Sequence, residues 1–432
     1  MKFKIQLIIF LFALANTSVA QNPFTWTQLP NMPGKTANNA VSEGDVSGVR
    51  HIYSFGGIDT TKLFSGIHQN AFRYNTVSQV WDTIPSLPDT LGKIASGAST
   101  VNNIIYIFGG YHVLSGGSEV SSDRVHRYDP NTNSYLSDGA PIPKAIDDHV
   151  QCVWRDSLIF LITGWSNTGN VRDVQIYDPA GDSWQTGTMV PTTASQYACF
   201  GASGTIIGDT IYYYGGAKSG FNFPASDVLR KGVIDPTDPT NITWSLVVAG
   251  PRKAYRSSSI VYGNRAFWIG GSEISYNYDG LAYFDGSGVN PSNSILSFNE
   301  STGNFTNWQY SDSIMDMRGI AQVSSNQWVV CGGMAENQAV SDQTFLLEYD
   351  VSYVGLSDLD VEISVYPSPA KNNIYVDIEE EISEIVIFNQ LGELVLRSIN
   401  KDINVSNLKT GIYLIEVRTK NQKIGKIQFA KG

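Results

Sequence analysis

Three consecutive residues, Asp147, Asp148 and His149, place two carboxyls and an imidazole side by side. Such a set can take up and return a proton near neutral pH. Basic residues stand in short connecting segments along the same chain: Lys35, Lys93, Lys144, Arg252, Lys253, Arg256 and Arg318. On a chain of formal net charge −11, cations gathered this way suit a carboxylate or sulfate ligand. Asp148 and His149 are therefore the candidate acid and base, and Arg252, Arg256, Arg318, Lys93 and Lys144 the candidate ligand contacts. Trp165 and Tyr278 are candidate stacking surfaces, in segments that also carry Tyr111, His112, Phe221, Phe223, Tyr276 and Tyr283. Aromatic rings beside polar groups suit a sugar ring, and they serve equally to pack long loops.

Other chemistries find no footing. The five histidines, His51, His68, His112, His126 and His149, show no short ligand spacing, and no Cys-x-x-Cys or His-Glu-x-x-His occurs, so no metal or cofactor is expected. Asp285-Gly286-Ser287-Gly288 lacks the later acidic ligand of a calcium loop. A Gly-x-Ser-x-Gly elbow and phosphate-binding glycine loops are missing too. The acidic balance argues against a nucleic-acid partner, which requires a basic field.

The elements that must position these residues repeat. Gly56-Gly57, Gly109-Gly110, Thr163-Gly164, Gly215-Gly216, Gly270-Gly271 and Gly332-Gly333 each close a short apolar run, at intervals of 53, 54, 52, 55 and 62 residues. A variable loop follows each, then a strand with an aromatic: Tyr74, Tyr128, Tyr177, Phe298 or Tyr349. Seven residues beyond the first four stand Trp81, Tyr135, Trp184 and Phe305, across a turn such as Asp129-Pro130-Asn131-Thr132. Thr163 replaces the first glycine of its doublet, Ile234 stands where the fourth aromatic is expected, and the fifth repeat carries a long insertion from Ser272 to Ser294.

Six copies of doublet, aromatic, turn and second aromatic resemble kelch repeats, whose period is of this order. The resemblance covers roughly Phe24 to Val354 and implies a six-bladed β-propeller. The last doublet has no second aromatic after Tyr349, whereas Trp26-Thr27-Gln28-Leu29-Pro30 has no doublet before it. The segment around Trp26 is thus expected to supply the outer strand of the sixth blade, leaving no open edge. The outer-to-inner connections and the loops after the doublets then share one face, and seven of the propeller's 18 basic residues ring its mouth. Kelch propellers include galactose oxidase, but nothing here matches its copper site residue by residue.

Beyond Val354 the pattern stops, and seven short alternating segments predict a small Ig-like β-sandwich over 358–432. Its landmarks are Tyr366-Pro367-Ser368-Pro369-Ala370, Gly392-Glu393-Leu394-Val395, Leu408-Lys409-Thr410-Gly411-Ile412-Tyr413, and Lys423, Lys426 and Lys431. In this order they resemble the type A C-terminal sorting domain of the Bacteroidetes type IX secretion system, with Ser368 where that family usually has Asn. At the amino end, Lys2 and Lys4, the apolar run Ile5 to Ala15 and Ser18-Val19-Ala20 read as a cleaved signal over 1–20.

The expected product is an all-β, exported protein with its propeller over 21–357, soluble after cleavage and either released or held at the outer-membrane surface. Cys152, Cys199 and Cys331 provide no disulfide framework and are expected as buried small hydrophobes, though one pair is left open. The leading reading is a non-catalytic module that binds a glycan or a protein on its loop-rich face. The alternative is a sugar mutarotase or epimerase resembling the kelch-type sialic acid mutarotase. In that case Asp148 and His149 would exchange protons, and Arg252, Arg256 and Arg318 would hold the substrate carboxylate.

Overall fold

The computed structural model describes residues 22–192, 196–351, 363–390, 394–420 and 424–432. The leader over 1–20, the boundary at 357/358, and Gly392, Glu393 and Lys423 of the sorting motifs lie outside the described residues. Apart from two short 3-10 turns, the regular elements described are strands.

Six antiparallel sheets, each with a four-stranded path, form the blades. Blade 1 is typical: Ala40–Val46, Val49–Ile58, Ile67–Asn75 and Val80–Ile84, paired in that order from inside outward. The sixth blade takes its inner three strands from Ala321–Ser324, Gln327–Cys331 and Thr344–Tyr349, and its outer strand from Phe24–Leu29. Trp26 lies opposite Leu347 in that pairing and stacks on Tyr310 at 4.6 Å. Both ends of the propeller thus share one sheet, which removes the free edge an open ring would present.

Each doublet has one physical task. Its second residue turns its N–H out of the blade to a carbonyl at the entry of the next: Gly57 to Lys93, Gly110 to Ile146, Gly164 to Cys199, Gly216 to Ala254, Gly271 to Ile314, and Gly333 back to Thr36. These bonds are 2.7–3.1 Å long. The approach leaves no room for a side chain at Gly109, where a Cβ would lie 2.1 Å from the Ile146 carbonyl oxygen. Thr163 occupies the same left-handed conformation at φ 50°. Its hydroxyl accepts from the Cys199 N–H at 2.9 Å and faces the carbonyl oxygens of Val171 and Cys199 at 2.8 and 3.0 Å, so the threonine takes over part of the inter-blade bonding.

The propeller's apolar core fills the wedges between blades. Tyr53 and Phe55 of blade 1 meet Ile105, Ile107 and Tyr128 of blade 2, and similar clusters fill the other five interfaces. The aromatic pairs expected at seven-residue spacing are direct cross-strand partners, Tyr74 with Trp81, Tyr128 with Tyr135, Tyr177 with Trp184 and Phe298 with Phe305. In blade 4, Trp244 instead faces Gly232. All three cysteines are free, buried thiols, and burial pushes Cys152 and Cys331 up to about 12.

The carboxy-terminal unit has a three-stranded sheet, Ser364–Tyr366, Asn373–Asp377 and Asp402–Asn404, and a four-stranded one ordered Leu394–Ser398, Ile382–Phe388, Gly411–Thr419 and Ile424–Lys431. Ile374, Val376, Ile385, Ile415 and Phe429 fill the space between the sheets.

Phe24 is 5% exposed and packs edge-on against Phe267 and Tyr349 at 5.2 and 5.1 Å. Phe24→Ala is expected to cost about 3–5 kcal/mol, as for a buried aromatic reduced to alanine, read as a lowered urea midpoint. A change within about 0.5 kcal/mol would show that this strand does not seal the ring.

Candidate functional site

Each inner strand is entered through a residue with a left-handed backbone: Asn38, Ala95, Asp148, Gly201, Arg256 and Asp316, at φ 57, 58, 46, 66, 47 and 61°. This shape turns consecutive entries toward one another around the axis. Asn38 N–H donates to the Asp316 carbonyl, Asp148 to Ala95, Gly201 to Asp148, Arg256 to Gly201, and Met317 to Arg256. The Asn38 side chain closes the remaining gap by accepting from the Ala95 N–H at 2.7 Å.

Four of the six side chains meet inside this ring. Arg256 donates from Nη2 and Nε to Asp148, at 2.6 Å for the shorter bond, and from Nη1 to Asp316 Oδ1 at 3.0 Å. Asn38 donates to the same Asp316 oxygen at 2.9 Å. Below them Arg318 reaches Asp148 at 3.4 Å and the His149 carbonyl at 2.7 Å. Tyr255 and Tyr276 lie over the guanidinium of Arg256 at 5.2 and 5.5 Å. Asp148, Arg256 and Asp316 are at most 2% exposed, so the cluster plugs the axis. Ala95 and Gly201, small at the equivalent positions, leave space for the arginine.

The plug divides two concavities that share no lining residue. On the side away from the loops, a channel of about 400 Å³ is lined by small and hydroxyl residues of the inner strands, with His149, Gln151, Glu43 and Arg318. Burial, then the Arg318 charge, lowers His149 to about 4, and its Nε2 lies 2.9 Å from Gln151. On the loop face is a smaller pocket of about 90 Å³, floored by Asp147, Asp148 and Arg256 and walled by Tyr111, Trp165, Phe200, Phe223 and Tyr283, with Glu119 and Asn277 at its side. Burial, reinforced by Asp148, holds Asp147 well above the usual carboxylate range. Partial desolvation raises Glu119, which itself stays exposed, and burial takes Asp316 to about 6.

The sequence candidates therefore part company. Asp148, Arg256 and Arg318 come together at the axis, where they bind each other. Trp165 walls the loop-face pocket, and Tyr278 packs on the apolar cluster around it. His149 opens to the other side of the plug from Asp147 and Arg256. Three basic candidates are corrected outright. Lys93 is buried against Asp89 at 2.9 Å, Lys144 holds Asp173 at 2.5 Å, and Arg252 donates to the Lys253, Gly270 and Ser294 carbonyls. They fasten chain segments instead of ringing the mouth. Asp316 and Asn38 were not singled out by sequence; aligning the repeats on Asp148 and Arg256 would have found both. Among the described residues, no group of three or more His, Cys, Asp or Glu is placed to hold a metal.

The blades, doublets and shared sixth sheet define a kelch-type propeller carrying an export module. The chain belongs to the kelch-repeat family: residues 46–271 match the KLHDC2/KLHL20/DRC7 Kelch-repeats domain. Residues 364–428 match the Secretion system C-terminal sorting domain, which marks the chain for export through type IX secretion to the cell surface or extracellular space. Kelch-like protein 25 of Xenopus tropicalis is 23% identical over 212 residues, covering 48% of this chain and 33% of that protein. Beta-scruin of Limulus polyphemus is 27% identical over 186 residues, covering 41% and 19%. The chain thus spans a third or less of the length of these two relatives. A solved structure, "Structure of YjhT", matches with a TM-score of 0.59 and 15% identity over 75% of this chain and 98% of the other, a likeness of fold. Among the described residues, no helix is long and apolar enough to cross a membrane.

Two measurements test the plug. Arg256→Met leaves Asp148 and Asp316 buried without their main partner, and is expected to lower unfolding free energy by about 3–5 kcal/mol; a neutral result in urea denaturation would remove the plug's structural role. His149 takes up a proton between its unfolded value of 6.5 and its folded value of about 4 only when unfolded, so its contribution is lost as pH falls through that window. Asp316, raised from 3.8 to about 6, acts in the opposite sense: the native state keeps a proton the unfolded chain releases. Between about pH 7 and about pH 5, His149→Gln should therefore lose less stability than the wild type, measured by urea midpoints.

Proposed function

We propose that this protein is an exported, non-catalytic docking module whose loop face binds a protein partner. The observation that carries this is the rim of that face. Leu63 and Phe64 of blade 1, Leu114 and Val120 of blade 2, Phe221 of blade 4 and Phe284 of blade 5 are all exposed, Phe221 at 92%. Phe221 and Phe284 flank the pocket-wall residues Phe223 and Tyr283. Large apolar side chains gathered around a pocket are what a protein interface presents, with polar groups at its centre or edge.

Two finer readings fare less well on the geometry. For a glycan, the candidate rings should be free to stack, yet Trp165, Phe200, Phe223 and Tyr283 pack edge-on against one another at 5.2–6.2 Å. For a mutarotase, acid, base and free arginine must share one cavity. Here Asp148 and Arg256 neutralise each other, and the plug separates them from His149.

Phe221→Ser with Phe284→Ser should abolish capture of a surface partner by proximity cross-linking on intact cells. Val248→Ser, on an outer strand where Val248 is 47% exposed, should retain it. Equal capture by both variants would overturn the loop-face reading. A glycan bound by the wild type and lost in Trp165→Ala would replace the protein partner with a sugar.

A further inference from the structure

Building on the loop-face reading, we propose that the pocket beneath the apolar rim is a receptor for an organic cation, the ammonium end of a lysine side chain presented by the partner protein. This is the reverse of the anionic ligand that the basic residues of the sequence suggest.

The charges decide the sign. Arg256 is the cation in the pocket lining, and its Nε, Nη1 and Nη2 each donate to a carboxylate already present. With Arg318 and Asp316 added, the plug holds two arginines against two aspartates, so it projects little net charge outward. Two acids of the pocket stand outside that balance. Glu119 has no ion-pair partner among the described residues. Asp147 is 3% exposed; its Oδ2 accepts from Ser121 Oγ at 2.6 Å, and its other oxygen has no partner among the described residues. Burial raises Asp147 and partial desolvation at the pocket edge raises the exposed Glu119, and a cation between them would offset both effects. A carboxylate entering the same space would meet two acids and no uncommitted cation.

The walls agree with the charge. Tyr111, Trp165, Phe223 and Tyr283 line the cavity, and the quadrupole of an aromatic ring attracts an ammonium group that reaches its face. Size narrows the choice further. About 90 Å³ is well below the roughly 300–1,000 Å³ of a site that encloses a drug-sized ligand, so it takes the end of one side chain, which a surrounding apolar interface then shields. The fifth-blade insertion holds one wall in place. Ser275 Oγ donates to the Phe223 carbonyl, and Gln338 of blade 6 donates to the Val289 carbonyl at 2.7 Å.

The test uses the full-length exported protein and small probes. Nα-acetyl-lysine methylamide should give a saturable change in tryptophan fluorescence that is absent in Trp165→Phe. The affinity should weaken as sodium chloride is raised, and by about fivefold or more in Glu119→Gln. The uncharged Nα-acetyl-norleucine methylamide and the anionic N-acetylneuraminate should not bind. Binding of N-acetylneuraminate, equal binding of the norleucine probe, binding of glucosamine in preference to the lysine probe, or no lysine binding would each overturn the cation site. Glu119→Gln also separates this proposal from the one beneath it. A captured partner that depends on Phe221 and Phe284 but is indifferent to Glu119→Gln would leave the docking face standing and remove the lysine anchor.

Discussion

The fold depends on one repeated bond: the N–H of a doublet's second residue reaching the carbonyl at the entry of the next blade. A single antiparallel blade satisfies its backbone internally, and nothing in it dictates how a neighbour should sit. The doublet supplies that rule, because a left-handed turn directs a donor sideways where an ordinary strand would keep it within the sheet. Six such bonds, with the last running from Gly333 to Thr36, set the blades at one spacing. The wedges between them are then filled by aromatic and branched side chains. Antiparallel pairing of Phe24–Leu29 with Thr344–Tyr349 completes the same closure through strand hydrogen bonds.

Two residues beyond each acceptor, the chain takes its left-handed step at the axis, and the sequence uses that position in two ways. Small residues stand at Ala95 and Gly201, and charged or amide side chains at Asn38, Asp148, Arg256 and Asp316 converge on the space they leave. Buried ion pairs of this kind often contribute little net stability over an apolar replacement, yet losing one member is costly. Here the cluster also seals the axis. Asp148, Arg256 and Arg318, which look functional in the sequence, pair with one another at the axis. On the proposed reading recognition falls to the loop face, where Glu119 and Asp147 have no ion-pair partner among the described residues.

Much of the architecture was legible because it rests on local rules. The doublets, the seven-residue aromatic pairs, the orphan Trp26 segment and the seven strands of the terminal unit each follow from φ preference or cross-strand pairing. The site was legible only in part. Asp148, Arg256 and Arg318 stand together at the axis, but sequence cannot tell a cation offered to a ligand from one answered by a neighbouring blade. Lys93 finds Asp89 four residues earlier, and Lys144 finds Asp173 in the segment just before Val174–Asp178. Glu119 escaped notice for a different reason. It belongs to a short hairpin strand, Glu119–Ser121, built into a loop whose length no repeat constrains, so its arrival beside Asp147 is a tertiary fact.

Native-state hydrogen exchange at the axis tests the central claim most directly. If the entry ring is the rigid seal of the molecule, the amides of Asn38, Ala95, Asp148, Gly201, Arg256 and Met317 should exchange only through global unfolding, as the slowest class. Exchange of these six amides at the rate of the exposed loop amides would contradict it, and would mean that the axis opens in the native state and that its charges are accessible to a ligand.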